Sequence, residues 1–171
     1  MSFWDIFSNT NSTDAVKKHS SLHYEVMEMF PNLSEEELIK TTCLAGLFAR
    51  VAYVDFSLEK SEVVHMHKAL KEMTDFKDEE ISNIVNLANK HIKELAGLEN
   101  HKFVYSLKEV MDQNERYKIV EALFYIAASD GTVANDESEE IRIINKGFDL
   151  SDRHFAAARA KVSDKLGALR E

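Results

Sequence analysis

Four carboxylates stand at spacings that could hold a divalent cation. Asp55 precedes Glu62 at the same interval by which Asp130 precedes Glu137. Hard cations such as Ca²⁺ and Mg²⁺ favour clustered oxygen ligands, so two such loops set face to face would suit one. The same residues also have a purely structural reading. Each Glu would accept backbone amides at a helix N-terminus, and each Asp would close its loop. An EF-hand is excluded for 130–141, because its sixth position is Asn135 rather than Gly and its twelfth is Ile141 rather than Glu.

Other candidate ligands are weaker. His19 and His23 lie one helical turn apart, a spacing that can clamp zinc. The residues between them, Ser20, Ser21 and Leu22, supply no acid–base partner, so a solvated pair is expected. His65 and His67 point to different helix faces. Glu62-x-x-His65 has the spacing used in di-iron bundles, but the second half offers Glu137-x-x-Glu140 instead of a second such motif. Cys43, the one cysteine, sits among Leu44, Ala45, Leu47 and Phe48 and reads as a buried, inert thiol. No Gly-rich phosphate loop, Gly-x-Ser-x-Gly or Cys-x-x-Cys occurs, and no catalytic residue stands out. The chain reads as a non-enzyme.

Helices must position these groups. One Pro and five Gly in 171 residues are too few turn formers for a β-sandwich. The 3.6-residue stripes predict an all-α single-domain bundle of about seven to eight helices, at 13–29, 35–54, 59–73, 78–96, 101–112, 114–129, 135–147 and 152–166. Residues 1–12 form an N-terminal segment and 13–171 the domain. The first helix should carry Val16, Leu22, Val26 and Met29 on its apolar face. Ser34-Glu35-Glu36-Glu37 predicts a capping box for the second. That helix is apolar around much of its circumference and should be central. Gly97, Gly131, Gly147 and Gly167 fall at helix ends, where positive φ is expected.

The halves resemble each other at an offset of 75 positions, from Asp55 to Asp130. Val51, Ala52, Leu58, Glu62, Met66, Ala69 and Met73 map onto Ile126, Ala127, Val133, Glu137, Ile141, Ile144 and Phe148. Two pseudo-repeated helix–loop–helix hairpins packed about a pseudo-twofold axis would bring their loops into related positions.

The string Ala127-Ala128-Ser129-Asp130-Gly131-Thr132-Val133 through Glu137 resembles the TerB-like family, which includes the tellurite-resistance TerB proteins and the N-terminal domain of the DjlA co-chaperone. The first copy keeps Asp55 and Glu62 but has Phe56 where Gly would stand. Where that family often has Ser or Asp three residues before the Glu, this chain has Ala134 and Glu59, so a full reciprocal cap is not available there. The resemblance covers about 34–166. It implies an all-helical fold of seven or eight helices and a tellurite- or envelope-stress context, with no implied chemistry.

A net charge of −9 without a Lys/Arg cluster argues against nucleic acid. No apolar run approaches the ~20 residues that cross a bilayer, and the first residues lack a signal peptide's basic start, so a soluble, cytoplasmic protein is expected. The Phe3-Trp4-Ile6-Phe7 cluster reads as a hydrophobic clip onto the bundle. Its functional reading is an anchor, for a protein groove before a membrane, since acidity opposes anionic lipid. The resulting expectation is a non-enzymatic interaction module with a protein partner, and a homodimer is compatible with it. The alternative is a metal-binding or metal-sensing domain using Asp55, Glu62, Asp130 and Glu137, with a divalent cation as the one cofactor.

Overall fold

The computed structural model describes residues 21–97 and 100–168. Among them are nine helices and no strand. They are α1 (Ser21–Met29), α2 (Glu35–Ala52), α3 (Lys60–Met73), α4 (Asp78–Lys90), α5 (Ile92–Gly97), α6 (Asn100–Val110), α7 (Gln113–Ala127), α8 (Asn135–Gly147) and α9 (Asp152–Ala168). A 3₁₀ turn, Ala128–Asp130, continues α7. The Phe3-Trp4-Ile6-Phe7 cluster, Val16 and His19 lie outside the described residues.

Ser34 starts the central helix as its sequence requires. Its hydroxyl accepts the Glu37 amide at 3.2 Å, and the Glu37 carboxylate accepts the Ser34 amide at 3.0 Å. Two amides that the helix start would leave orphaned are thereby satisfied. Leu38, Cys43, Leu44, Leu47, Phe48, Val51 and Ala52 are all buried on α2, which packs against α1 and against α3 through α8. Gly46 lets α6 approach closely. Burial pushes the Cys43 thiol up to about 12, against a hydrogen bond with Ser106, so it is an inert core thiol.

Several expectations need correction. The 78–96 segment is two helices, because the chain turns at His91 (φ −97°, ψ 10°). The His91 ring lies 2.7 Å from Glu25 of α1, and the Glu94 carboxylate accepts the Ser21 amide at 2.9 Å, so α5 redirects to support the start of α1. His23 is buried rather than solvated, because it lies beside Leu22 and Val26 on the face of α1 that enters the core. Met29, expected inside, is exposed at the helix end. Gly147 does not supply positive φ. It permits close contact with Val104, and the left-handed residue at that helix end is Asp149 (φ 57°). Among the described glycines only Gly131 has positive φ.

The two hairpins α2–α3 and α7–α8 obey the 75-residue offset, and their side chains reveal a pseudo-twofold relation. Arg50 of α2 pairs with Glu140 of α8 at 2.9 Å. Their counterparts are Tyr125 of α7 and His65 of α3, whose rings meet with centroids 4.4 Å apart and planes tilted by 56°. One contact has become ionic and the other aromatic while the geometry is kept.

Candidate paired-loop carboxylate site

Each loop is built by the same local hydrogen bonds. Asp55 Oδ1 accepts the Ser57 amide at 2.9 Å and the Ser57 hydroxyl at 3.1 Å. Asp130 Oδ1 accepts the Thr132 amide at 2.9 Å and the Thr132 hydroxyl at 3.1 Å. A short side-chain acceptor closing on the amide two residues ahead is the Asx turn. Leu58 and Val133 then pack against the core, fixing the angle at which each following helix departs. At the helix starts, Glu62 accepts the Glu59 amide at 2.6 Å and Glu137 accepts the Ala134 amide at 2.7 Å. These are one-sided caps: Ala134 has no side-chain acceptor to return the bond. The structural reading of all four residues therefore holds.

That reading does not use them up. Asp55, Glu62, Asp130 and Glu137 all line one cavity of about 120 Å³, together with Glu59 and Asp136. The 3₁₀ turn after α7 packs against α3, where the Ser129 hydroxyl donates to that of Ser61 at 3.2 Å and holds the loops together. None of the described lining residues is basic. Glu62 is only 7% exposed. Burial raises its carboxyl to about 7; the Glu59 amide opposes this, and the charges of Glu137, Asp55 and Glu59 add to it. Glu137 is also raised, first by burial, against the Ala134 amide, with Asp130 and Asp55 pushing further. Like charges held together in a partly dry place resist ionising together.

Convergence is not coordination. Among the described residues no three of His, Cys, Asp or Glu are already arranged to hold a metal ion. One oxygen of each carboxylate is occupied by its loop or cap amide. His65 does not turn to the cavity: its Nδ1 lies 2.7 Å from the Ser61 carbonyl and its ring on Tyr125. His67 is bonded elsewhere, to the Asp78 carbonyl at 3.2 Å. His65 and His67 thus diverge, as their spacing requires.

Sequence reading missed Glu59 and Asp136 as members of the cluster. Glu59 stands out in the sequence only as a failed cap residue, and Asp136 is one of two acids in the first turn of α8. Their shared signal is position. Each lies within three residues of a candidate Glu on a loop-to-helix junction.

No helix among the described residues is long and apolar enough to cross a membrane. A family model described as tellurite resistance protein TerB matches residues 41–160, a span that contains both acidic loops. No curated protein and no solved structure matches the chain.

Proposed function

Because this chain belongs to the tellurite resistance protein TerB family, we propose that it is a non-enzymatic TerB-type module whose paired loops bind a divalent cation. The observation supporting this is the delivery of four carboxylates, from two pseudo-equivalent loops, to one small cavity with no basic residue among the described ones that line it. Burial first, and the neighbouring negative charge after it, raise the Glu62 and Glu137 carboxyls and make their joint ionisation costly. A bound cation would remove the cost and draw both groups back to the ionised form.

The donor chemistry selects among metals. All-oxygen ligands suit Ca²⁺ or Mg²⁺, whereas zinc takes nitrogen and sulfur. Glu62, Asp130 and Glu137 would each keep one oxygen on an amide and offer the other. Asp55 would exchange the Ser57 hydroxyl on its Oδ2, at 3.0 Å, for the ion. The cavity has room for waters to complete the shell. A cation held between α2–α3 and α7–α8 would tie the two hairpins together. Metal sensing in a tellurite- or envelope-stress setting is the role this suggests, and the setting rests on the family alone.

The test is thermal unfolding with and without metal. Ca²⁺ or Mg²⁺ at 100 times its dissociation constant adds about 2.7 kcal/mol. For a chain of this size the melting point should then rise by roughly 5–10 °C. Asp130→Asn and Glu137→Gln should each abolish the rise, and Asp55→Asn and Glu62→Gln should weaken it. A melting curve indifferent to Ca²⁺, Mg²⁺ and chelator rejects the cation and leaves four structural carboxylates.

A further inference from the structure

Phe56 is the most exposed large hydrophobic side chain described, at 80%, and it sits in the left-handed region with φ 64°. Both properties are unfavourable to the chain by itself. A bulky residue at positive φ is strained, and an exposed ring gains no burial in return. Its counterpart in the second loop is Gly131, which takes φ 99° without a side chain. The second loop therefore folds with nothing larger than Gly at this place, while the phenyl ring of the first loop is left largely in solvent.

The ring borders a groove of about 360 Å³. Tyr53 stands edge-on to Phe56, with centroids 6.1 Å apart, and Val54 and Ala96 complete the apolar walls. The polar lining is acidic: Asp136, Glu139 and Glu140, with Arg50 the one base among the described residues. Arg50 is already engaged by Glu140 at 2.9 Å and by the Ala96 carbonyl at 2.8 Å. Glu139 is paired with Arg142 outside the groove. Asp136 is exposed and also borders the acidic cavity, so the groove opens beside that cluster of carboxylates.

We propose that this groove is a docking site for a basic segment of a partner protein, taking an arginine side chain against Phe56 and Tyr53 with its guanidinium toward Asp136. Charge complementarity chooses the occupant. Nucleic acid and anionic lipid would be repelled, and a bare metal ion would have no use for the aromatic walls. An arginine needs both parts: apolar surface for its methylene stem and planar face, and a carboxylate for its charge. The site goes beyond the cation reading: Asp136 borders both places, but the aromatic wall of Phe56 and Tyr53 lies outside the carboxylate cavity, so Phe56→Gly tests the groove by itself.

The experiment uses the full chain and a fluorescein-labelled octapeptide alternating arginine and glycine, followed by anisotropy at several salt concentrations. Saturable binding is expected. Phe56→Gly should weaken it about tenfold, the order of one cation–π contact with its apolar area, while Phe56→Trp retains it. Asp136→Asn should weaken it several-fold and flatten its salt dependence. Phe56→Gly changes no charge, and the second loop already folds with Gly there, so it separates the groove from general attraction to an acidic protein. Wild-type affinity in Phe56→Gly, equal binding of a leucine–glycine octapeptide, or no saturation by millimolar peptide each overturns the proposal.

Discussion

A Cβ added to Gly46 would lie 2.8 Å from Cε1 of Phe103, a ring with no exposure of its own. Two helices, α2 and α6, meet there without space for one methyl group. Replacing Gly by Ala in a helix ordinarily stabilises by about 1 kcal/mol. Here overpacking should reverse the sign, so Gly46→Ala should cost roughly 1–3 kcal/mol in urea unfolding. The additional change Phe103→Leu should return part of that loss. Stabilisation by Gly46→Ala alone would show that α6 can move away freely.

The strained loop residue gives a second test, on stability. Phe56→Gly removes left-handed strain of about 1–2 kcal/mol and gives back roughly 0.5–1 kcal/mol as unfolded-state entropy. The variant should be as stable as the parent, or more stable by up to ~1 kcal/mol. Gly131→Ala should go the other way, losing about 1 kcal/mol at φ 99°. Opposite results at the two positions would show that the loops are not backbone equivalents.

Glu62 sets a pH dependence whose sign is unusual for a carboxylate. Its folded value of about 7 lies above its ordinary 4.5, so between those limits the folded chain keeps a proton that the unfolded chain has lost. That contribution is complete below pH 4.5 and is lost as pH rises through about 7. Its size is on the order of 2 kcal/mol. Urea unfolding at pH 5 and pH 7.5 should therefore show a smaller loss in Glu62→Gln than in the parent. Identical losses would mean that Glu62 ionises as if in water. A saturating divalent cation should also flatten the parent's slope, because the bound ion keeps the carboxylate ionised.

Arg50 joins three elements through Glu140 and the carbonyls of Leu95 and Ala96. The pair is largely shielded, with side-chain exposures of 19% and 17%. Removing the guanidinium takes an ionic partner from Glu140 in a partly dry place, so Arg50→Ala should cost about 2–4 kcal/mol. Arg50→Met with Glu140→Leu keeps the volume without the charges and should recover most of it. Equal losses in single and double variants would assign the cost to the α5 carbonyls instead.

What the sequence shows depends on whether a signal is local. Ser34 with Glu37 announces a helix start because both halves of the cap lie within one turn. The 75-residue repeat is legible because buried residues keep the same register in both hairpins, and by itself it places the four carboxylates in related loops. Arg50 and Glu140 gave no such notice, being 90 positions apart with no periodic signature. The break at His91 was hidden because the apolar stripe continues through it with Ile92 and Leu95. His23 misled because side-chain type was read without the helix face it occupies. Phe56 was noticed as a departure from Gly, but its exposure and its groove depend on α5 and α8, which approach from elsewhere in the chain.

Lys40 donates to Glu115 at 3.1 Å. Under the 75-residue offset these two are each other's counterparts, so the ion pair straddles the axis relating the hairpins. Two identical copies of the first half, assembled in the same way, would set lysine against lysine there. Two copies of the second would set glutamate against glutamate. Opposite charges at this place are open only to halves that differ, and both kinds of mismatched self-assembly meet repulsion. The pair thus favours closure of α2–α3 onto an α7–α8 hairpin over the pairing of two like hairpins, whichever molecule supplies the partner.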